Sequence, residues 1–337
     1  MTGDFLEVDK LSLSIKTAGG KWVPILKDVS IRVGEAEVVA IVGETGSGKT
    51  LTAKAVMGIL PANSRIDSGH AIYEGVDLFT RTPESRRARM KIAMVFQNPM
   101  SSLNQLFKIK DQMNDVLTWA HVDKTGEKKL SKGARAERII STLRQVKLDE
   151  KVLEMYPFQL SGGMRQRVMI AMSLLREPHL LIADEPTTAL DVTTQREILN
   201  LLQELASKNR MSLLFITHNL GIAFETAKRT YVFYAGRVVE EGVTSSLFRS
   251  SLHPYTQGLI RSIPSLDRSR AMQGISGEIS QEDRSSSASC CFNRRCPFVV
   301  EICLNEEPQL KELEPKHRVA CFVAGSQVRM IKEEAAQ

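Results

Sequence analysis

A glycine-rich loop near the start of the chain has the residues of a phosphate-binding site. Residues 43–50 read GETGSGKT, the pattern of a phosphate-binding loop, between a predicted strand and a predicted helix. Glycines let backbone N–H groups surround phosphate oxygens, and the helix start adds partial positive charge. We predict that Lys49 reaches the terminal phosphates of a nucleotide and that the Thr50 hydroxyl binds Mg²⁺, since a chance match is disfavoured in this context. The predicted phosphate-binding residues are Gly43, Glu44, Thr45, Gly46, Ser47, Gly48, Lys49 and Thr50.

An acidic pair follows a second apolar segment. Asp184 and Glu185 come directly after residues 179–183, which are predicted to form a core strand. Asp184 is placed to hold Mg²⁺ through water, and Glu185 is placed to polarise an attacking water as a general base. An acidic pair at a strand end is common, so this prediction depends on its position downstream of Lys49 and directly before Pro186.

Two further polar residues follow predicted strands. Gln97 comes after residues 91–96, where a neutral amide can bind Mg²⁺ and sense a terminal phosphate. His218 comes after residues 212–217, where it can contact that phosphate and order the attacking water. Taken singly, a surface glutamine and a structural histidine would be the ordinary interpretations. Their order relative to the acidic pair favours a role at a nucleotide instead.

A second glycine-rich segment opens another predicted helix. Residues 160–167 read LSGGMRQR. Backbone N–H groups at a helix start form an anion site, but the other motifs of this chain supply no anion for it. The alternative is that Ser161 simply caps the helix.

Strands alternate with helices around these motifs. Such alternation predicts an α/β fold with a parallel sheet covered on both sides. Residues from about 100 to 175 are mostly helical and polar, which indicates a separate lobe. The predicted strands are 37–42, 91–96, 179–183 and 212–217, and the predicted helices are 48–57, 134–146, 162–176 and 193–206.

Composition limits where the protein can act. The chain has 337 residues, 42% of them apolar, and no apolar run approaches the roughly 20 residues that span a bilayer. Its acidic start lacks the pattern of a signal peptide, so we expect a cytosolic protein that meets a membrane by docking onto other subunits. The net charge of +6 permits nucleic acid or anionic lipid as a partner without requiring either. We interpret the basic stretches 81–91 and 124–138 as solvated faces.

All the cysteines lie near the carboxyl end. Crowded cysteines in a cytosolic chain favour a metal or cluster site over disulfides. They are Cys290, Cys291, Cys296, Cys303 and Cys321. The residues before them are rich in Ser, Arg, Glu and Gly, which predicts a flexible linker. We therefore divide the chain into a nucleotide-binding domain (1–265, with the helical lobe at about 100–175), a linker (266–289) and a cysteine-rich segment (290–325).

Taken in order, these motifs resemble the ATPases of ATP-binding cassette (ABC) transporters. The resemblance identifies 43–50 as Walker A, Gln97 as the Q-loop, 160–164 as the signature, 180–185 as Walker B, Asp191 as the D-loop and His218 as the switch histidine. It implies a P-loop NTPase with a RecA-like core and with the antiparallel β and α-helical subdomains of ABC proteins. It also implies a head-to-tail dimer with two sandwiched ATP molecules, hydrolysed with Glu185 as base. Trp22 is the candidate for stacking on adenine. The residues implied to face the partner's ATP are Ser161, Gly162, Gly163 and Gln166.

A narrower resemblance is to importers of the oligopeptide, dipeptide and nickel group. It is carried by YPFQ at 156–159, ADEPTTALDVT at 183–193 and HPYTQ at 253–257. It implies a peripheral subunit on the cytoplasmic side of the membrane that couples ATP hydrolysis to uptake of dipeptides or oligopeptides. Its expected partners are two transmembrane permeases, a second homologous ATPase in a heterodimer, and an external binding protein. A nickel or metal-chelate importer is the alternative within this group.

The cysteine-rich segment resembles the tail of the peptide branch of the group. That resemblance implies a [4Fe–4S] cluster on Cys290, Cys296, Cys303 and Cys321. Zn²⁺, unmetallated thiols and a disulfide remain alternatives. Ser289 and Arg294 depart from the family's tail pattern, and Asn98 and Gln105 depart from its pattern after the Q-loop.

Two rivals belong to other classes of protein. A soluble ABC ATPase acting on DNA would carry a long coiled coil between Walker A and the signature, and no sustained heptads occur there. A translation-type ATPase would carry two cassettes in one chain. An iron–sulfur redox protein that merely binds nucleotide would leave the signature and His218 unexplained. No nucleic-acid partner is expected.

Overall fold

A computed structural model of the protein describes residues 5–122, 130–188, 190–263, 274–285 and 288–324. These residues divide into two compact units. The first unit contains the described residues of Met1–Val33, Val38–Ile72 and Phe215–Gln337, and the second contains those of Gly34–Glu37 and Tyr73–Leu214.

The β-strands are numbered in chain order. They are β1 (Leu6–Lys16), β2 (Trp22–Val33), β3 (Val38–Val42), β4 (Ser64–Tyr73), β5 (Val76–Asp77), β6 (Ile92–Val95), β7 (Leu180–Asp184), β8 (Ser212–Thr217), β9 (Arg229–Tyr234), β10 (Arg237–Val243), β11 (Lys311–Glu314) and β12 (His317–Val319).

The α-helices are numbered in the same way. They are α1 (Lys49–Met57), α2 (Pro83–Met90), α3 (Pro99–Ser102), α4 (Ile109–Val122), α5 (Lys132–Gln145), α6 (Gly162–Leu174), α7 (Val192–Lys208), α8 (Leu220–Thr226), α9 (Thr244–Arg249), α10 (Pro254–Arg261), α11 (Gln281–Ser285) and α12 (Glu301–Asn305).

The first unit contains two groups of paired strands. Strands β2, β1 and β4 are neighbours in one sheet, with β1 antiparallel to β2. Strands β11, β12, β10, β9 and β3 are neighbours in the other. Strand β3 runs parallel to β9, and it carries the chain directly into the glycine-rich loop. The parallel pairing predicted for this core strand is therefore confirmed.

The cysteine-rich segment is part of the core of the first unit. Phe292 is 2% exposed and belongs to the same apolar cluster as Val42 and Val232. The rings of Tyr234 and Tyr255 lie 5.1 and 5.5 Å from that of Phe292. Because a buried aromatic ring contributes roughly 3–5 kcal/mol, these contacts bind the tail to the unit.

The second unit packs helices around a short parallel pair, β6 and β7. The amphipathic spacing that predicts α5 places Ile139 and Leu143 in the core. Helices α6 and α7 are joined by an ion pair, with Arg167 Nη2 2.8 Å from Glu197 Oε2. Most of the described residues between α3 and α6 are helical, and the separate lobe at about 100–175 stays a prediction.

The predicted elements agree closely with the observed ones, and the linker shows one difference. The predicted strand at 212–217 is β8 without change, and the predicted helix at 193–206 is α7. Within the linker assigned to 266–289, residues 274–285 include helix α11, and its Asp283 is only 4% exposed. The Asp283 backbone N–H donates to Ser280 Oγ, so local capping orders a segment whose composition suggested none. The rest of the linker assignment includes residues outside the described ranges.

None of the helices described is both long enough and apolar enough to cross a bilayer.

Candidate nucleotide-binding site

Other parts of the chain come so close to the glycine-rich loop of the first unit that two of its positions have no room for a side chain. Gly43 has φ 152°, and a Cβ there would lie 2.2 Å from the Phe233 carbonyl oxygen. Gly48 has φ 105°, and a Cβ there would lie 2.5 Å from Leu26 Cδ2. Gly48 is also the N-cap of α1 and supplies no side-chain cap to the helix start. Such a helix start suits a phosphate group.

Lys49 is buried inside this loop. Its ammonium group donates to the Gly43 carbonyl at 2.7 Å and to the Glu44 carbonyl at 2.9 Å. It also lies 3.4 Å from Ser47 Oγ, and the residue is 4% exposed. The loop therefore holds the Lys49 charge where the predicted phosphates would bind.

Two residues far along the chain contact Glu44, and the motifs alone do not reveal them. The Glu44 backbone N–H donates to the Tyr255 hydroxyl at 2.9 Å. The Glu44 carboxylate accepts two hydrogen bonds from Arg295, at 2.9 and 3.0 Å. Tyr255 lies in the quoted HPYTQ segment, but nothing in the sequence indicates that it or Arg295 reaches the loop.

In the second unit, the structure brings Glu185 and Gln97 together. Gln97 Nε2 donates to Glu185 Oε2 at 2.9 Å, and Thr188 Oγ1 donates to the same oxygen at 3.0 Å. Glu185 has φ 45°, in the left-handed region that a residue with a side chain rarely adopts. Backbone of this kind occurs at functional sites, and the role of Glu185 as general base stays a prediction.

Asp184 and His218 lie at the ends of strands, and Thr50 lies at the start of a helix. Asp184 is the last residue of β7 and is 2% exposed. His218 follows β8 directly and is exposed in the first unit. Thr50 lies in the first turn of α1. Each position is the one that the sequence predicts, while the roles of these residues stay predictions.

The signature segment forms the start of α6, as predicted. Ser161 is the N-cap, and its hydroxyl accepts a hydrogen bond from the Met164 N–H at 3.3 Å. A Cβ on Gly163 would lie 2.7 Å from Thr194 Cγ2. The glycine is therefore needed for packing against α7, whose start is capped by Asp191. Helix capping by Ser161 is present, and it is compatible with the predicted contact to a partner's ATP.

Two other predicted residues have surroundings that the sequence does not indicate. Trp22 is 38% exposed, and the Arg65 guanidinium lies over its ring at 4.4 Å from the centroid. Gln166 is 1% exposed, and its Nε2 has no hydrogen-bond partner among the residues described. Adenine stacking by Trp22 and signature function of Gln166 stay predictions.

The positions that depart from the family pattern are satisfied locally. Asn98 Oδ1 accepts the Met100 N–H at 2.9 Å and caps α3. Gln105 Nε2 donates to the carbonyls of Met100 and Leu103 at 3.2 and 3.0 Å. Both residues therefore stabilise the loop after the Q-loop.

Four of the cysteines, Cys290, Cys291, Cys296 and Cys303, lie in or against one apolar cluster, and Cys321 packs against another. The Cys290 N–H donates to the Cys303 carbonyl at 2.9 Å. A hydrogen bond with Cys291 lowers the pKa of the Cys290 thiol to about 7, whereas burial raises the pKa of Cys321 to about 12. In the described parts of the chain, no three His, Cys, Asp or Glu side chains are grouped to hold a metal ion. The predicted cluster and the alternative zinc site are therefore not shown.

Comparison with known families identifies two matching segments. Residues 26–188 match the family described as ABC transporter. Residues 239–303 match the family described as oligopeptide/dipeptide transporter, C-terminal region. The second match includes part of the cysteine-rich segment, so the resemblance extends beyond the ATPase motifs.

Several curated proteins are similar over nearly the whole chain. The dipeptide transport ATP-binding protein DppD of Haemophilus influenzae is 40% identical over 324 residues, covering 94% of each chain. The oligopeptide transport ATP-binding protein OppD of Salmonella typhimurium is 41% identical, covering 94% of this chain and 93% of its own.

Solved structures agree with the fold. The ATP-binding cassette MJ0796, in a dimeric post-hydrolysis state with ADP and Pi, matches with TM-score 0.61 and 26% identity, over 71% of this chain and 98% of its own. CbiO1 of Clostridium perfringens, part of the transporter complex cbiONQ, matches with TM-score 0.60 and 27% identity, over 73% and 91%. The predicted α/β P-loop fold is confirmed.

Proposed function

Because the chain belongs to the ATP-binding subunits of ABC transporters in the oligopeptide/dipeptide family, we propose that it hydrolyses ATP to drive peptide import. The observation that carries this proposal is identity of about 40% over 94% of the chain to dipeptide and oligopeptide transport ATP-binding proteins. The ATPase motifs are intact, and they include Glu185.

The residues present fit ATP and Mg²⁺. When bound, these groups supply the reacting phosphoryl bond and a cation that neutralises phosphate charge. Lys49 has its ammonium group within the loop, and the N-terminus of α1 has no side-chain cap. Thr50, Gln97 and Asp184 supply a hydroxyl, an amide and a buried carboxylate, which are oxygen donors that suit Mg²⁺.

Glu185 is the proposed general base. Its carboxylate would accept a proton from the water that attacks the terminal phosphate. Hydrogen bonds from Gln97 and Thr188 orient one carboxylate oxygen, so the base is already held before substrate arrives. We propose that His218 orders the same water. We also propose that Gln97 senses the terminal phosphate of the bound nucleotide.

We propose that the subunit works as a dimer with a homologous ATPase. The start of α6, with Ser161, Gly162 and Gly163, would contact ATP held by that partner. The dimeric state of the cassette MJ0796 supports this arrangement. Two permeases and an external binding protein would complete a complex in which this chain is peripheral on the cytoplasmic face. Co-purification from native membranes tests this composition, and recovery of the chain without permeases would contradict it.

An exposed apolar surface in the second unit supports docking to a permease. Its side chains are 46–82% exposed, and the two chain segments that carry them are joined by the ion pair between Lys108 and Glu154. A cluster of large exposed apolar side chains often marks a protein interface. The residues are Met100, Leu106, Phe107 and Phe158.

Replacing Leu106 with aspartate is expected to uncouple transport from ATP hydrolysis. Leu106 is 82% exposed, so the change leaves the fold intact but places a charge in the proposed interface. We expect peptide uptake to fall at least about tenfold, while the isolated subunit keeps its ATPase rate. The control is Leu313→Asp, at an exposed apolar residue of the first unit. Equal uptake by both variants would exclude this surface as the docking site.

For the cysteine-rich segment 290–325 we propose a [4Fe–4S] cluster held by Cys290, Cys296, Cys303 and Cys321. The support is proximity, since Cys290 and Cys303 belong to one buried cluster, Cys296 packs against it, and the Cys290 N–H donates to the Cys303 carbonyl. The described side chains do not present a ready-made metal site, so the thiols would have to move together on binding.

Cys296→Ser is expected to abolish iron binding, because a cluster of this type needs its thiolate ligands. Cys291→Ser, at a neighbouring buried cysteine outside the proposed ligand set, is the matched control and should keep its iron. Iron and zinc contents and the absorption spectrum are measured on the full chain purified without oxygen. Zinc in place of iron, or neither metal in the unsubstituted protein, would overturn the proposed cluster.

A further inference from the structure

Arg295 connects the cysteine-rich segment to the phosphate-binding loop. Its guanidinium forms a two-pronged pair with the Glu44 carboxylate, with N–O distances of 2.9 and 3.0 Å. The Arg295 side chain is 6% exposed and that of Glu44 is 27% exposed. A pair of this geometry, largely shielded from water, is among the stronger polar contacts in proteins.

The remaining donors of Arg295 are also used. Nε donates to the Ser276 carbonyl at 2.8 Å, and Nη2 donates to the Gly277 carbonyl at 2.9 Å. The guanidinium also lies over the Tyr234 ring, 5.6 Å from its centroid. Burial works against the charge of Arg295, but the hydrogen bonds to Glu44 and Tyr234 outweigh it and raise the pKa of Arg295. The side chain is therefore fixed in one position.

Glu44 in turn contacts Lys49, the predicted phosphate-binding lysine. Its carbonyl accepts a hydrogen bond from Lys49 at 2.9 Å, while its N–H donates to the Tyr255 hydroxyl. Tyr255 packs against Phe292 of the same cysteine-rich segment, with 5.5 Å between ring centroids. The tail therefore contacts the loop in two ways. Arg295 pairs with the Glu44 side chain, and Phe292 packs against Tyr255, whose hydroxyl accepts the hydrogen bond from the Glu44 N–H.

A second arginine lies against the outer side of the loop. A Cβ built on Gly46 would come within 2.8 Å of Arg284 Nη2. Arg284 lies in helix α11, within the linker that precedes the cysteine-rich tail. Two arginines from beyond the nucleotide-binding domain, Arg284 of the linker and Arg295 of the tail, therefore contact the loop.

We propose that Arg295 is a positioning residue for ATP binding, by which the cysteine-rich tail clamps the phosphate-binding loop through Glu44. The clamp holds the loop in shape, and it neutralises a carboxylate that would otherwise repel the phosphates. The inference rests on the proposed ATP binding. It extends that function by making the affinity for ATP depend on how the tail is folded.

The test compares ATP affinities of full-length variants. Arg295→Met is expected to weaken binding of a fluorescent ATP analogue by about tenfold or more, since it leaves the partly buried Glu44 carboxylate without its arginine partner in the phosphate-binding loop. Arg294→Met is the matched control, because Arg294 is 59% exposed and pairs only with Glu282 among the contacts described. KM for ATP should rise in Arg295→Met, with kcat at saturating ATP little changed.

A second substitution separates positioning from simple anchoring of the tail. If the unpaired Glu44 charge causes the loss, Glu44→Gln in the Arg295→Met background should restore at least about half of the lost binding energy. Anchoring alone would give no such rescue. Arg295→Lys, which keeps the charge but not the two-pronged geometry, should lie between the unsubstituted chain and Arg295→Met, and it provides a folded variant if Arg295→Met is unstable.

The outcomes separate this inference from the proposed function. Failure of the unsubstituted chain to bind ATP would overturn the proposed function itself. If the unsubstituted chain binds ATP and Arg295→Met binds it equally well, the clamp alone is overturned. The same holds if Arg295→Met loses ATP affinity and Glu44→Gln does not restore it. Rescue in the double variant, with the control unchanged, would establish it.

Discussion

Glu185→Gln is expected to lower kcat for ATP hydrolysis by about 10²- to 10⁴-fold, the usual contribution of a general base. Glutamine has the same shape, and it can still hydrogen-bond to Gln97 and Thr188 through its carbonyl oxygen. A lower kcat would therefore reflect the missing proton acceptor and not a change in structure at the end of β7. Because the change leaves the phosphate-binding loop untouched, ATP affinity should stay within about twofold.

Another acidic residue of the second unit provides the control for this prediction. Glu204→Gln removes a carboxylate that is 59% exposed in the same unit, where it pairs with Lys147. Such a surface ion pair contributes roughly 0–1 kcal/mol, so activity should not change. Steady-state phosphate release and nucleotide binding are measured on both variants. A Glu185→Gln protein that hydrolyses ATP at more than about a tenth of the normal rate would exclude Glu185 as the base.

The second large effect is expected at Lys49, where alanine should nearly abolish ATP binding. The ammonium group is buried in the loop and makes charge-assisted hydrogen bonds, a type of contact that transfers to phosphate oxygens. Removing one partner of a buried charge pair costs about 2–5 kcal/mol, which corresponds to at least about 30-fold weaker binding. Equilibrium titration with a fluorescent ATP analogue measures this loss.

Lys54→Ala is the matched control for that substitution. Lys54 lies in the same helix, α1, where it is the basic residue of the last turn. Its loss changes net charge equally without removing a donor from the loop. If the two variants bound ATP equally well, the loop would not be the phosphate site.

Local sequence determines the elements that hold the predicted residues. The alternation of apolar segments and amphipathic helices predicts β8 and α7, and the glycine pattern predicts the loop after β3. Glu185 follows β7 and Gln97 follows β6, and these two strands are parallel neighbours. Because parallel strands end at the same edge of a sheet, their following side chains lie on the same side. The hydrogen bond between these two side chains is the observed consequence.

Contacts between distant parts of the chain could not be predicted in this way. The pairing of Glu44 with Arg295 joins residues far apart in sequence, and no periodicity or motif indicates it. The polar composition of residues 281–285 resembles a linker, whereas helix α11 depends on burial of Asp283 in the fold. The left-handed backbone conformation of Glu185 could not be predicted either, since glutamate does not favour it.

ATP hydrolysis by this chain is proposed to drive peptide import. Its most direct test is to reconstitute the membrane complex co-purified with the tagged chain into proteoliposomes. Uptake of labelled dipeptides and oligopeptides is then measured with ATP on the side of the ATPase. We expect uptake that requires ATP and that is lost with Glu185→Gln. ATP hydrolysis without peptide uptake, or uptake of nickel in place of peptides, would contradict the account.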